Sequence, residues 1–202
     1  MTSAQAPTQL VPTPQTGASV SRTSVPAHLR RIVLTGFMGA GKSTVGRLVA
    51  RQLNWEFLDL DAHLESRTRS TIPELFSIHG ETHFRRLESA ALASALGRSS
   101  TVLALGGGTP ETLTNRLLLE QTPGTFTIFL HASFETLFDR CILQAVERPV
   151  LADVDEARVR FIGRQPSYRR LAHLTLSTEA LTSEETVASL LLLLEKVTPS
   201  RR

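Results

Sequence analysis

The stretch Gly36-Phe37-Met38-Gly39-Ala40-Gly41-Lys42-Ser43-Thr44 constrains this chain more than any other. It follows Ile32-Val33-Leu34, which reads as a buried β-strand, and leads into Val45 to Leu53, whose apolar residues recur at helical spacing. Strand, glycine loop, helix is the context in which a G-x-x-x-x-G-K-S pattern becomes a phosphate site. Glycines let the backbone curl so that its N–H groups point inward, and the helix start adds unpaired donors and the positive end of its dipole. Gly39, Ala40, Gly41, Lys42, Ser43 and Thr44 are therefore the candidate nucleotide-binding residues. Lys42 would reach the β- and γ-phosphates, and the Ser43 hydroxyl would ligate Mg²⁺. The pattern implies a nucleoside triphosphate, ATP, as ligand.

A chain of 202 residues can hold one ordinary domain with a sizeable core. No apolar run is long enough to span a bilayer, so no membrane association is expected. The net charge is +3 and the pI 9.7, yet Lys42 and Lys196 are the only lysines, so arginine carries the basic character. Guanidinium forks suit carboxylates and phosphates, which points to a small acidic substrate. No aromatic-studded basic stripe suggests nucleic-acid binding. Cys141 is the single cysteine, which excludes an internal disulfide and fits a reducing cytoplasm. Residues 1–28 are rich in Ser, Thr, Pro, Gln and Ala and read as a disordered tail before a domain at 29–202.

Beyond the first helix the pattern alternates strands and helices, which argues for a parallel sheet covered on both faces. Strands are predicted at Glu56–Asp59, Thr101–Leu105, Phe126–Leu130 and Leu174–Leu176. Thr71 and Glu74 form a capping box for a helix ended by Gly80, and a longer helix follows with Phe84, Leu87, Ala91 and Leu92 inward. Further helices are predicted over Glu111–Glu120, from Ser133 to about Gln144, ending near Gln165, and over Thr182–Val197. In open parallel sheets the ligand crevice lies beyond the carboxyl ends of the strands. The glycine loop, Asp59 and Asp61, Gly106-Gly107-Gly108 and the polar residue after Leu130 all follow predicted strands. Asp59 and Asp61, two apart, would point the same way in extended chain. One would serve Mg²⁺, directly or through water, and the other an acceptor hydroxyl; a helix N-cap pair is the alternative use of such a pattern.

Together G-F-M-G-A-G-K-S-T, F-L-D-L-D, F-R-R-L-E, L-G-G-G, E-R-P-V-L and R-Q-P-S-Y-R-R resemble shikimate kinases, in family order and spacing from about Arg31 to Leu176. The resemblance implies a three-layer α/β P-loop kinase fold with a central five-stranded parallel sheet. It also implies a helical substrate-binding insertion at about 59–95 and a mobile lid at about 143–157. It implies transfer of the ATP γ-phosphoryl, with Mg²⁺, to the 3-hydroxyl of shikimate, in chorismate and aromatic amino acid biosynthesis. Residue by residue, it assigns Asp61 to the shikimate hydroxyls as acceptor and base, and Asp59 with Ser43 to the metal, Asp59 through water. Arg85 and Arg164 would clamp the substrate carboxylate, Gly107 would offer a backbone N–H, and Arg148 would close over the nucleotide. Glu88 is a candidate partner holding Arg85, while Arg86 reads as surface.

Some positions depart from the family pattern. Val150 replaces a leucine in the lid, Ser177 to Leu181 lacks an adenine-side arginine, and Arg140 is only an approximate counterpart of another. His63, His79, His83 and His173 show no metal spacing. Gluconate or nucleotide kinases are the rival enzymes, against which the paired arginines and the triple glycine argue; a binding module that has lost turnover is the rival class, against which Lys42, Asp61 and the clamp arginines argue. A cytoplasmic monomer is expected.

Overall fold

The computed structural model describes residues 25–143 and 153–197. Most of the expected tail, the middle of the expected lid and Arg148 lie outside the described residues.

β1 (Arg31–Thr35), β2 (Glu56–Asp59), β3 (Thr101–Ala104), β4 (Thr125–His131) and β5 (Leu174–Ser177) form one sheet in the order β2-β3-β1-β4-β5. Every neighbouring pair is parallel. The central strand β1 is buried along its whole length, because both faces of a parallel sheet are covered. On one face Ile32 and Leu34 pack with Val45 and Val49 of α1 (Lys42–Leu53) and Leu190 and Leu194 of α7 (Ser183–Glu195). On the other, Val33 and Leu103 pack with Phe84 and Leu92 of α3 (Ile72–Leu96) and Leu119 of α4 (Leu113–Gln121). The strand period of two thus sends adjacent residues of β1 into two different cores, and three layers result. The α/β P-loop kinase architecture and the five-stranded parallel sheet match the sequence expectation.

Local chemistry sets the helix ends. The Thr71/Glu74 capping box is present at the start of α3, and Thr182 with Glu185 forms a second one at α7. Gly80 breaks α3 with φ 74° and ψ 172°, and the chain resumes helix at once, so the expected stop is a kink between two helical halves.

Three differences from the sequence reading have physical causes. A helix not anticipated there, α2 (Leu60–Thr68), follows β2 directly; only Leu60 and Leu64 are buried, so it carries almost no apolar stripe. The helix expected over Glu111–Glu120 is split into a 3-10 turn, Thr109–Glu111, and α4. α5 (Phe134–Leu143) follows β4, and after it α6 (Val154–Leu171) runs past Gln165, with Pro166 inside it. An interior proline costs about 3 kcal/mol. Burial of Tyr168 (0% exposed) and Leu171 (3%) holds the second half of α6 against the core and offsets that cost.

Candidate active site

The loops after β1, β2, β3 and β4 meet at the carboxyl edge of the sheet, on either side of the central strand. After β1 the chain turns through Gly36 (φ 145°), Gly39 (φ 75°) and Gly41 (φ 85°). At Gly36 an added Cβ would stand 2.5 Å from the Leu130 carbonyl oxygen, so this position requires glycine on both conformational and steric grounds. Gly41 precedes the first turn of α1 and contributes no side-chain cap, which leaves the N-terminal N–H groups to a ligand. The Lys42 ammonium donates to the carbonyl oxygens of Gly36 (2.9 Å) and Phe37 (3.0 Å), curling back over the loop it follows.

Asp59 and Asp61 do not lie in one extended segment. Asp59 ends β2 and caps α2, its Oδ1 accepting from the backbone N–H groups of Asp61 (3.2 Å) and Ala62 (3.4 Å). Its Oδ2 accepts from the Ser43 hydroxyl at 2.6 Å. The carboxylate is thus a helix cap and the acceptor of the Ser43 hydroxyl at once. Asp61 sits in the first turn of α2 with its side chain directed at Gly106, where a Cβ would come within 2.5 Å of Oδ1. Burial, then the nearby Asp59 charge, push the Asp61 carboxyl up to about 6, against the opposing pull of Lys42.

Each glycine of the triplet after β3 faces a different polar side chain. Gly106 faces Asp61, Gly107 faces Arg164 and the Tyr168 hydroxyl, and an added Cβ on Gly108 would meet the Arg85 guanidinium at 2.7 Å. None has a positive φ, so close approach and not backbone conformation accounts for them. The Tyr168 hydroxyl donates to the Gly107 carbonyl at 2.6 Å, tying α6 to this loop, and burial raises its pKa above the usual phenol value.

Arg85 and Arg164 come from helices far apart in sequence, yet both reach Glu111 Oε2. Arg164 Nη2 lies 2.9 Å from it and Arg85 Nη2 lies 3.9 Å from it. Behind Arg85 is Glu88, only 2% exposed, accepting from Arg85 Nη1 at 3.0 Å and from Thr109 Oγ1 at 2.7 Å, with Asn115 Nδ2 at 3.4 Å. Burial works against the Arg85 charge, but Glu88 and Glu81 outweigh it and hold the group above its ordinary value. Glu88 is thus the partner of Arg85 that the sequence suggested, and Arg86 is exposed as expected. Asp61, Arg85, Gly107 and Arg164 line one cleft of about 740 Å³ with Phe76 and Glu111.

A smaller cleft of about 280 Å³ opens on the other side of the glycine loop, lined by Gly41, Thr44, Arg140, Thr178 and Leu181. Arg140 donates to Thr178 Oγ1 (3.1 Å) and to the Thr178 carbonyl, and so fastens the loop after β5. Among the described residues no cluster of three or more His, Cys, Asp or Glu could hold a metal ion.

The shikimate kinase family model matches residues 38–195. The chain belongs to the shikimate kinase family. A shikimate kinase of Thermus thermophilus is 40% identical over 174 residues, covering 83% of this chain and 91% of that protein. The structure of shikimate kinase from Acinetobacter baumannii in complex with shikimate superposes with a TM-score of 0.76 at 35% identity, covering 84% of this chain and 96% of that one. A gluconokinase from Sinorhizobium meliloti superposes with a TM-score of 0.60 at 22% identity, a likeness of fold alone.

Of the residues singled out from the sequence, those of the glycine loop, Asp59, Asp61, Arg85, Gly107 and Arg164 gather at one edge of this shikimate kinase fold. Arg148 lies outside the described residues. Sequence reasoning gave no site role to Glu111, Thr109 or Asn115, and Tyr168 entered only as part of R-Q-P-S-Y-R-R, one helical turn beyond Arg164.

Proposed function

We infer that this protein catalyses ATP-dependent phosphorylation of the 3-hydroxyl of shikimate, giving shikimate 3-phosphate and ADP in aromatic biosynthesis. The observation that carries the reading is convergence. A carboxylate with a raised pKa, Asp61, and two guanidinium groups line one cleft, and Asp61 lies two residues from Asp59, the partner of Ser43 in the phosphate loop.

In this reading the loop from Gly39 to Thr44 cradles the ATP phosphates through its N–H groups. Lys42 trades its bonds to the Gly36 and Phe37 carbonyls for the β- and γ-phosphates. Arg85 and Arg164 fork onto the shikimate carboxylate and fix the ring, and Gly107 offers its N–H to a ring hydroxyl. Asp61 accepts a hydrogen bond from the 3-hydroxyl and takes its proton as the oxygen attacks the γ-phosphoryl in line. A carboxyl titrating near 6 is largely ionised at neutral pH yet basic enough to receive that proton. Arg148 would close over the transferring group and exclude water.

Ser43 and Asp59 suit Mg²⁺: a hydroxyl that would ligate the ion and, 2.6 Å from it, a carboxylate that would hold the ion's water stand beside a phosphate loop. When bound, Mg²⁺ would neutralise charge on the β- and γ-phosphates. The adenine would lie in the smaller cleft, between Arg140 and the loop after β5. The reading further includes a monomer acting in the cytoplasm; no helix among the described residues is long and apolar enough to cross a membrane.

Gluconate and nucleotide kinases are the competing assignments. Coupled ADP release measured with shikimate, gluconate and nucleoside monophosphates separates them. Release only with shikimate is expected; equal or faster release with either other acceptor would overturn the reading.

A further inference from the structure

The cleft contains a carboxylate of its own where the acid group of the substrate has to go. Glu111 Oε2 accepts from Arg164 through both Nε (3.0 Å) and Nη2 (2.9 Å), so one oxygen takes up the guanidinium edge that a ligand carboxylate would use, and it lies 3.9 Å from Arg85 Nη2. The backbone of Glu111 is pinned by its own hydrogen bonds, whereas its side chain is held through Oε2 at the two arginines. Its N–H donates to the Gly108 carbonyl at 3.0 Å, and its own carbonyl accepts from Arg116 Nη1 at 2.9 Å. The side chain is 43% exposed, against 2% for Glu88.

Charge counting shows why this matters. Arg85 and Arg164 bring two positive charges, and Glu81, Glu88 and Glu111 bring three negative ones within 4 Å of them. A carboxylate ligand entering that arrangement meets a net negative charge unless one resident acid leaves. Glu88 is held by Thr109 and Asn115 and is almost wholly buried, so it stays. Among the described residues Glu81 pairs with Arg85, whereas Glu111 reaches both guanidinium groups with a side chain exposed enough to swing into solvent.

We propose that Glu111 is a displaceable resident carboxylate: it occupies the two-arginine fork and must be expelled by the substrate carboxylate, so it sets the affinity and selectivity of the pocket for acids. The inference rests on the reading of the cleft as the shikimate site. Each anion that binds has to break the Glu111–Arg164 fork. A ligand able to use both arginines and the ring contacts succeeds, and a weak anion does not. The alternative role, Glu111 as a prop that orients Arg164 for the substrate, gives effects of opposite sign.

The test is titration of shikimate, by calorimetry and by steady-state ADP release, on wild type, Glu111→Gln and Glu111→Ala, with benzoate as a carboxylate-only probe and shikimate methyl ester as the uncharged one. Loss of a charge-assisted pair in a partly exposed site corresponds to about a tenfold gain in ligand affinity. Kd and KM for shikimate are expected to fall about that much in both variants. Benzoate should tighten in parallel, the ester should not, and the change should appear in KM and not in kcat. Unchanged or weaker shikimate binding in correctly folded Glu111→Gln and Glu111→Ala, with wild type active, overturns the displacement role alone. Wild type that neither binds nor phosphorylates shikimate overturns the functional reading and this inference with it.

Discussion

Asp61 concentrates the chemistry and the cost of the site in one side chain. Its pKa is raised from 3.8 to about 6 by burial and by Asp59, so the folded protein holds more protons than the unfolded chain between those values. Stability contributed at low pH is therefore lost as pH rises through that window, and the ionised group is a standing penalty at neutral pH. Asp61→Asn is expected to stabilise the protein at pH 7 by on the order of 2 kcal/mol in urea unfolding. The same change should lower kcat by about 10²- to 10⁴-fold while ATP still binds. Turnover close to wild type would remove Asp61 from its role as base. In the wild type, kcat/KM for shikimate should fall about tenfold per pH unit below about 6, the side on which Asp61 is protonated. A flat profile from pH 5 to 8 would contradict the assignment. At this scale the sequence was informative wherever a residue sat inside a motif, as Lys42, Asp61 and Arg164 do. Glu111 was illegible because its meaning lies in a partner 53 residues away that local pattern does not reveal.

Among the elements, α6 has the most to hold in place. It carries Arg164 into the cleft, contains Pro166, and is fastened to the glycine triplet by a single phenol–carbonyl bond from Tyr168. Tyr168→Phe removes that bond from a fully buried position, worth about 1 kcal/mol, and should lower Tm by about 2–4 °C. If the bond also positions the loop, KM for shikimate rises severalfold; a fall in Tm with no change in KM would limit Tyr168 to structure. The sequence ended this helix near Gln165 because proline is a reliable local stop signal, and tertiary burial of Tyr168 and Leu171 overrode it. α2 escaped notice for the converse reason: two buried leucines in a short polar segment give no period to detect. The capping box of α3 is the opposite case, written entirely within four consecutive residues.

For the molecule as a whole, alternating strands and helices made the parallel sheet readable, whereas the strand order β2-β3-β1-β4-β5 depends on pairings between distant segments. The two cores on either side of β1 make ligand binding on one edge a matter of global stability. Shikimate at a hundred times its Kd should stabilise the fold by about 2.7 kcal/mol, seen as a rise in Tm. Arg164→Ala should abolish that rise at the same concentration and leave the rise with ADP intact; an undiminished shift with shikimate would place the acid elsewhere. Asp59 joins these two halves, one oxygen on the Ser43 hydroxyl and the other on the amides that open α2. Any coupling between nucleotide and acid that runs through this carboxylate should vanish in Asp59→Ala, read as a shikimate Kd that no longer responds to ADP; an undiminished response in that variant would route the coupling elsewhere.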